Sequence, residues 1–173
     1  LDALAIAGQA LTGKALGAGD ISAARSATRT MLSWGVIGGG MLGIVVLGTH
    51  SLLPRIFTAD PAVQSALAAA LIVVAISQPI AGFVFVLDGV LIGAGDGRWL
   101  AWAQVGLLLL YLPLILTVRN VGNSLLAGAD AVAAQGHALT VLWLTFIVFM
   151  TMRGVALGWR ARGDAWLITG ATR

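Results

Sequence analysis

Four stretches of this chain, residues 30–54, 61–87, 99–118 and 131–152, contain no Asp, Glu, Lys or Arg. Each reaches the roughly 20 residues an α-helix needs to cross the hydrocarbon core of a bilayer. Lipid offers no hydrogen-bond partners, so such a run must satisfy every backbone N–H and C=O within itself, and a helix does that. Soluble domains are about one quarter charged; this chain is 10% charged and 59% hydrophobic, with a mean hydropathy of +0.97. The expected fold class is therefore all-α, a polytopic membrane helix bundle with four complete transmembrane helices plus the end of a fifth.

Punctuation residues sharpen the boundaries. The expected spans lie near residues 31–54, 62–95, 99–118 and 138–158, with the end of an earlier helix at 1–17 and a tail at 159–173. Pro54 is expected to close the first span, and Asp60-Pro61 to supply an N-cap with proline in the first turn. A continuous helix from Pro61 to Gly95 would be about 52 Å long. One or two interfacial turns and then a bend near Pro79 are expected, with a similar bend at Pro113. Residues 1–16 lack the basic start and cleavage site of a signal peptide and read as the last turns of a helix. The chain is thus expected to be part of a longer protein.

Counting alternate faces, Lys14, Arg25, Arg29, Arg98, Arg153, Arg160, Arg162 and Arg173 fall on one side, and only Arg55 and Arg119 on the other. The positive-inside rule makes the first side cytoplasmic, the C-terminus included. Trp34, Trp99, Trp102, Trp159 and Trp166 fall near the same boundary, as expected of headgroup-level anchors. The formal charge of +3 does not point to nucleic acid, because the basic residues are scattered singly rather than gathered on one face.

Glycine recurs every fourth residue at Gly35, Gly39 and Gly43, and again at Gly89, Gly93 and Gly97. Such ladders let helix backbones approach closely. An internal echo is written around the second one: Gly13-Lys-Ala-Leu-Gly17-Ala-Gly19-Asp20 returns as Gly89-Val-Leu-Ile-Gly93-Ala-Gly95-Asp96. In both, a glycine is expected to close a helix and the Asp to cap the next one. Asp88 lies about 12 Å in from the second corner, inside the apolar run. A carboxylate at that depth costs about 2.5–3.5 kcal/mol and must face other helices or a water-filled cavity.

These motifs resemble a family. Gln9-x-x-x-Gly13-x-x-x-Gly17-Ala-Gly-Asp20 followed by Ala24-Arg25 is similar to the eighth-helix signature of multidrug and toxic compound extrusion (MATE) transporters. Pro79 with Asp88-Gly89-Val-Leu-Ile-Gly93-Ala-Gly95-Asp96 and Arg98 resembles their tenth helix, in the form of the DinF-like branch; Trp166-Leu-Ile-Thr-Gly resembles that branch's C-terminus. The resemblance implies the end of helix 8 and helices 9 to 12, most of the C-terminal lobe of a twelve-helix antiporter whose N-terminal lobe is missing. It further implies a multi-pass cell-membrane protein that exports small organic compounds in exchange for protons. Sodium-coupled NorM-like relatives carry an acid near the position of Ala81, and its absence favours protons over sodium.

Asp88 is the candidate for proton coupling or the substrate path; the competing reading is a structural Asp bonded to a neighbouring helix. Gln78, Gln104 and Tyr111 are candidate substrate contacts, with interhelical bonding or packing as the plainer use. Phe83, Phe85 and Trp143 can stack on a cation or simply pack. Asp2 stands too near the chain end to assign. His50 and His137 have no partner at metal-ligand spacing, there is no Cys or Glu, and no nucleophile elbow or phosphate loop occurs. No catalytic residue, metal or cofactor is expected. Two other readings stay open: a membrane scaffold or half-size partner subunit without a transport path, and a lipid-linked oligosaccharide flippase of the same superfamily.

Overall fold

A computed structural model describes residues 1–126 and 131–170. The described elements are all helical: α1 (Asp2–Gly17), α2 (Ile21–Thr49), the short α3 (Leu53–Phe57), α4 (Pro61–Gly93), α5 (Gly97–Leu126) and α6 (Ala131–Arg162). Four of them contain segments long and apolar enough to cross a membrane: Ile21–Thr49, Pro61–Gly93, Gly97–Asn120 and His137–Arg162. This is the expected all-α membrane bundle.

The helix ends show where local chemistry acts. The first span begins at Ile21, earlier than its charges suggest, because Asp20 caps it by accepting from the Ala23 N–H at 2.8 Å. It ends at Thr49, and Pro54 sits in the first turn of α3 instead of closing α2. Asp60 caps α4 through the Ala62 N–H at 2.8 Å, with Pro61 as its first residue. α4 then runs as one helix of 33 residues, with Pro79 inside it. The hydroxyls of Thr28, Thr117, Thr145 and Thr151 each donate to the carbonyl four residues earlier. That internal bond is what lipid demands of a polar side chain with no water at hand.

α4 is the axis of the bundle. Half of its most apolar window is buried, against 6% for α5, and it packs against α1, α2 and α6. Valines and leucines from its C-terminal half, Val84, Val86, Leu87, Val90 and Leu91, form the core with Leu16, Ala24, Met150, Leu157 and Trp166. The large apolar side chains of the outer helices point away from this core: Ile37, Met41 and Ile44 on α2, Trp102, Leu109 and Leu110 on α5. In a bilayer those faces meet acyl chains, so the outside of the molecule is as apolar as its interior.

The α2–α4 seam is built from small residues. On α2 the buried positions are Ala24, Thr28, Gly35, Gly39 and Gly43. A β-carbon at Gly35 would lie 2.7 Å from the Gly82 carbonyl oxygen, one at Gly39 would overlap the Gln78 carbonyl, and one at Gly43 would press on that of Ala75. Gly82 faces Gly35 in return. The pairing order shows that α2 and α4 run antiparallel. It also explains how Pro79 is accommodated: the carbonyl it leaves without a helical donor, Ala75, is the one against which the Gly43 backbone lies. α1 lies on α4 in the parallel sense, with Ala5 against Gly89 and Gln9 against Gly93.

Trp166 departs from its expected role. It is 2% exposed and donates its indole N–H to the Ala161 carbonyl at 3.1 Å, so it folds the segment after α6 back onto the core. Trp34, Trp102 and Trp159 remain outside, at 65%, 72% and 72% exposure.

The seam makes a stability prediction. Gly82→Ala and Gly39→Ala force helix backbones apart and are expected to destabilise the bundle by about 1–3 kcal/mol, read as a lower melting temperature in detergent. Gly40→Ala, with nothing within 4 Å of its β-carbon position, is expected to be neutral or mildly stabilising.

Candidate functional site

Both glycine corners close in the same way. Gly19 and Gly95 take left-handed backbone, with φ of 77° and 75°. The Gly N–H bonds back to Leu16 and Ile92 at 3.0 Å in each case, and the following Asp N–H reaches Ala15 at 2.9 Å and Leu91 at 3.0 Å. These are the paired bonds of a Schellman closure, and only glycine adopts that φ without strain. Gly17 and Gly93 are helical and differ from each other: Gly93 lies against the Gln9 backbone of α1, whereas nothing comes within 4 Å of Gly17. Because α1 and α4 are parallel, the two corners sit side by side at one end of the bundle.

Their aspartates diverge. Asp20 caps α2, as expected. Asp96 instead accepts two bonds from Arg160 of α6, from Nε at 2.6 Å and Nη2 at 3.0 Å. The guanidinium also stacks over Trp99, 5.2 Å from its ring centroid. A planar fork meeting a carboxylate in two places fixes direction as well as distance.

About two turns deeper lies a second pair of the same kind. Asp88 accepts from Arg153 Nη2 at 2.7 Å, with side-chain exposures of 14% and 24%. With its amide oriented so that oxygen faces the cation, Gln104 of α5 accepts from Arg153 Nε at 2.9 Å and Nη2 at 3.3 Å. Three helices therefore meet at one guanidinium inside the spans. Asp88 on α4 and Asp96 in the corner that follows it are eight residues apart, Arg153 and Arg160 on α6 seven apart, so the two pairs hold the helices parallel in a single register.

Of the other candidates, Tyr111 packs on Phe149 with centroids 4.9 Å apart, and Gln78 bonds the Val74 carbonyl of its own helix at 3.1 Å. The structure thus brings Gln104 to Asp88 and leaves Gln78 and Tyr111 elsewhere. Trp143 lies edge-on to Phe146 at 5.7 Å. His50 Nδ1 is 2.6 Å from the Leu47 carbonyl, and among the described residues no three His, Cys, Asp or Glu gather as metal ligands do. Charge counting used Arg153 and Arg160 only to orient the chain and missed their role as ion-pair partners. The signal available was the matched spacing of two acids on one helix and two arginines on another.

A parallel α4–α6 pair clamped by partly buried ion pairs, with glycine seams to α1 and α2 and apolar outer surfaces, defines a multi-pass membrane helix bundle. A model of the MatE family matches residues 2–117, and the chain belongs to that family, the one the two corners resemble. It is 29% identical over 171 residues to Protein DETOXIFICATION 45, chloroplastic, of Arabidopsis thaliana, covering 96% of this chain and 28% of that protein. Similarity extends to Protein DETOXIFICATION 44, chloroplastic, at 31% over 159 residues (92% and 28%) and to Protein DETOXIFICATION 43 at 27% over 154 residues (89% and 26%), both of the same plant. The chain spans little more than a quarter of the length of these curated relatives. No solved structure matches.

The inner pair predicts a charge-coupling pattern. Asp88→Asn and Arg153→Gln each strand one partner and are expected to cost about 3 kcal/mol, the lower end for a buried pair because both groups keep some solvent. The double variant is expected to recover most of that loss. A double-mutant cycle of melting temperatures in detergent checks it; strictly additive losses would contradict the coupling.

Proposed function

We propose that this chain is the larger part of the C-terminal lobe of a MATE-type antiporter that exports small organic compounds in exchange for protons. The observation that carries the reading is the Asp88–Arg153–Gln104 cluster, an ionisable group inside the spans where three helices meet. Intramembrane acids concentrate on ion and substrate paths, because nothing else offsets the cost of placing them there. Family membership supports the transport class, and the names of the relatives speak of detoxification.

In this reading, proton exchange at Asp88 is tied to opening of the ion pair. A proton that reaches the carboxylate removes its charge, Arg153 stays with Gln104, and α4 loses its mid-span tie to α6. The Asp96–Arg160 pair at the corner persists as the fixed end, so the freed length of α4 swings about it. A proton taken from the outer face and released to the cytoplasm drives substrate the other way. Ala81 offers no carboxylate for sodium, which favours protons, and the Asp88-Gly-Val-Leu-Ile-Gly93 sequence is the basis for placing the chain in the DinF-like branch.

Orientation in the cell membrane follows the charges. Lys14, Arg25, Arg29, Arg98, Arg153, Arg160 and Arg162 belong to the corner end by the order of the helices, and Arg55 and Arg119 to the opposite end; Arg173 lies outside the described residues. We assign the corner end and the C-terminus to the cytoplasm. The partners of the chain are the bilayer and an N-terminal lobe that completes the substrate path.

Export from proteoliposomes holding the complete protein, under an imposed pH gradient with a fluorescent amphipathic cation, tests the proposal. Asp88→Asn is expected to slow proton-driven export about tenfold or more, about 1.4 kcal/mol on the limiting barrier, in proteoliposomes matched for folded protein. Undiminished export removes Asp88 from coupling, and wild-type export driven by sodium alone removes the proton.

A further inference from the structure

At the corner end a cavity of about 330 Å³ opens between α2, α4, the end of α6 and the segment folded back after it. Arg25, Arg29 and Arg162 line it, over an apolar floor that includes Phe83 and Leu87. Asp164 neutralises Arg25. Arg29 and Arg162 have no acidic partner among the described residues, so the cavity keeps a positive charge that an external anion can meet.

An apolar groove of about 530 Å³ adjoins the cavity, and Phe83, Gly158 and Arg162 line both. The groove is walled by Val36, Pro79, Ile80 and Val155. Each of these stands farther from the corner end than the cavity residues of its own helix, so the groove leads from the basic mouth toward the middle of the membrane. The Phe83 ring packs on Gly154 and Gly158, 3.4–3.9 Å from their β-carbon positions, and forms a wall common to cavity and groove.

We propose that cavity and groove together bind one anionic phospholipid of the adjoining leaflet, its phosphate between Arg29 and Arg162 and an acyl chain along Ile80 and Val155. Both spaces fall in the roughly 300–1,000 Å³ range of ligand sites, and basic pockets between transmembrane helices suit anionic headgroups. A free phosphate would satisfy the arginines and leave the groove without a use. An amphipathic cation would fit the groove and be repelled at its mouth. The site lies apart from the Asp88 cluster, and the inference stands whether or not the transport reading does.

The complete protein carrying these residues, delipidated in neutral detergent, is titrated with phosphatidylglycerol, phosphatidylcholine or inorganic phosphate, and binding is read by native mass spectrometry and thermal shift. Phosphatidylglycerol is expected to bind about tenfold or more tighter than phosphatidylcholine, with inorganic phosphate unable to displace it. Arg29→Gln and Arg162→Gln are each expected to weaken it about fivefold and together about 25-fold, while the two lysine substitutions retain most of the affinity. A wild-type protein that does not prefer phosphatidylglycerol overturns the proposal, as does a preference that survives the double glutamine variant. Displacement by inorganic phosphate reassigns the cavity to a free anion and overturns the lipid. Should the double variant fail to fold, Ile80→Trp blocks the groove with every arginine in place, and unchanged phosphatidylglycerol affinity there is equally fatal.

Discussion

The bundle depends on backbone-to-backbone contact along α4. Between helices in lipid there is no hydrophobic gain from pairing, because the acyl chains they displace are as apolar as the side chains that replace them. What remains is dispersion at close range and weak polar contact between carbonyls and Cα–H groups. Gly35, Gly39 and Gly43 bring α2 to that range on one side of α4, and Gly89 and Gly93 bring α1 there on the other. The larger side chains of the outer helices are left to face outward.

Close packing places α4 but does not hold it lengthwise, since a face of small residues tolerates sliding. The Asp88–Arg153 and Asp96–Arg160 pairs do that toward α6. Their values differ with position. The outer pair is bidentate, stacked on Trp99 and set beside a Schellman corner, so its geometry is determined several times over. The inner pair has a single direct bond and shares its cation with an amide on a third helix. The outer pair is therefore held by more contacts than the inner one.

The two corners show how a shared Gly-Ala-Gly-Asp sequence acquires different uses. Leu16 to Asp20 and Ile92 to Asp96 make the same hydrogen bonds with nearly the same φ at glycine. Only the second faces an arginine across the bundle, and its aspartate gives up the capping role for an ion pair. The first keeps its cap, and the nearby Arg25 finds Asp164 in the folded-back tail instead. Backbone closure is local chemistry; the partner of the carboxylate is decided by whichever helix lies opposite.

Sequence alone determined the class, the number of spans, the corners and the family, because each rests on local properties: uncharged length, helix-ending glycine, and order along the chain. It also marked Asp88, since an acid within an apolar run is conspicuous whatever surrounds it. It misjudged where α2 ends, as Pro54 opens a new helix three residues after a break at Thr49 to His50 rather than closing the old one. It took Trp166 for an anchor because nothing local says that the tail turns inward. Only the tertiary structure decided that Arg153, Arg160 and Gln104 belong with the two aspartates, that Gln78 and Tyr111 do not, and that three arginines share a cavity. Those facts depend on which faces of α4, α5 and α6 meet, and that is set by contacts between residues some 50 or more positions apart, which no local pattern encodes.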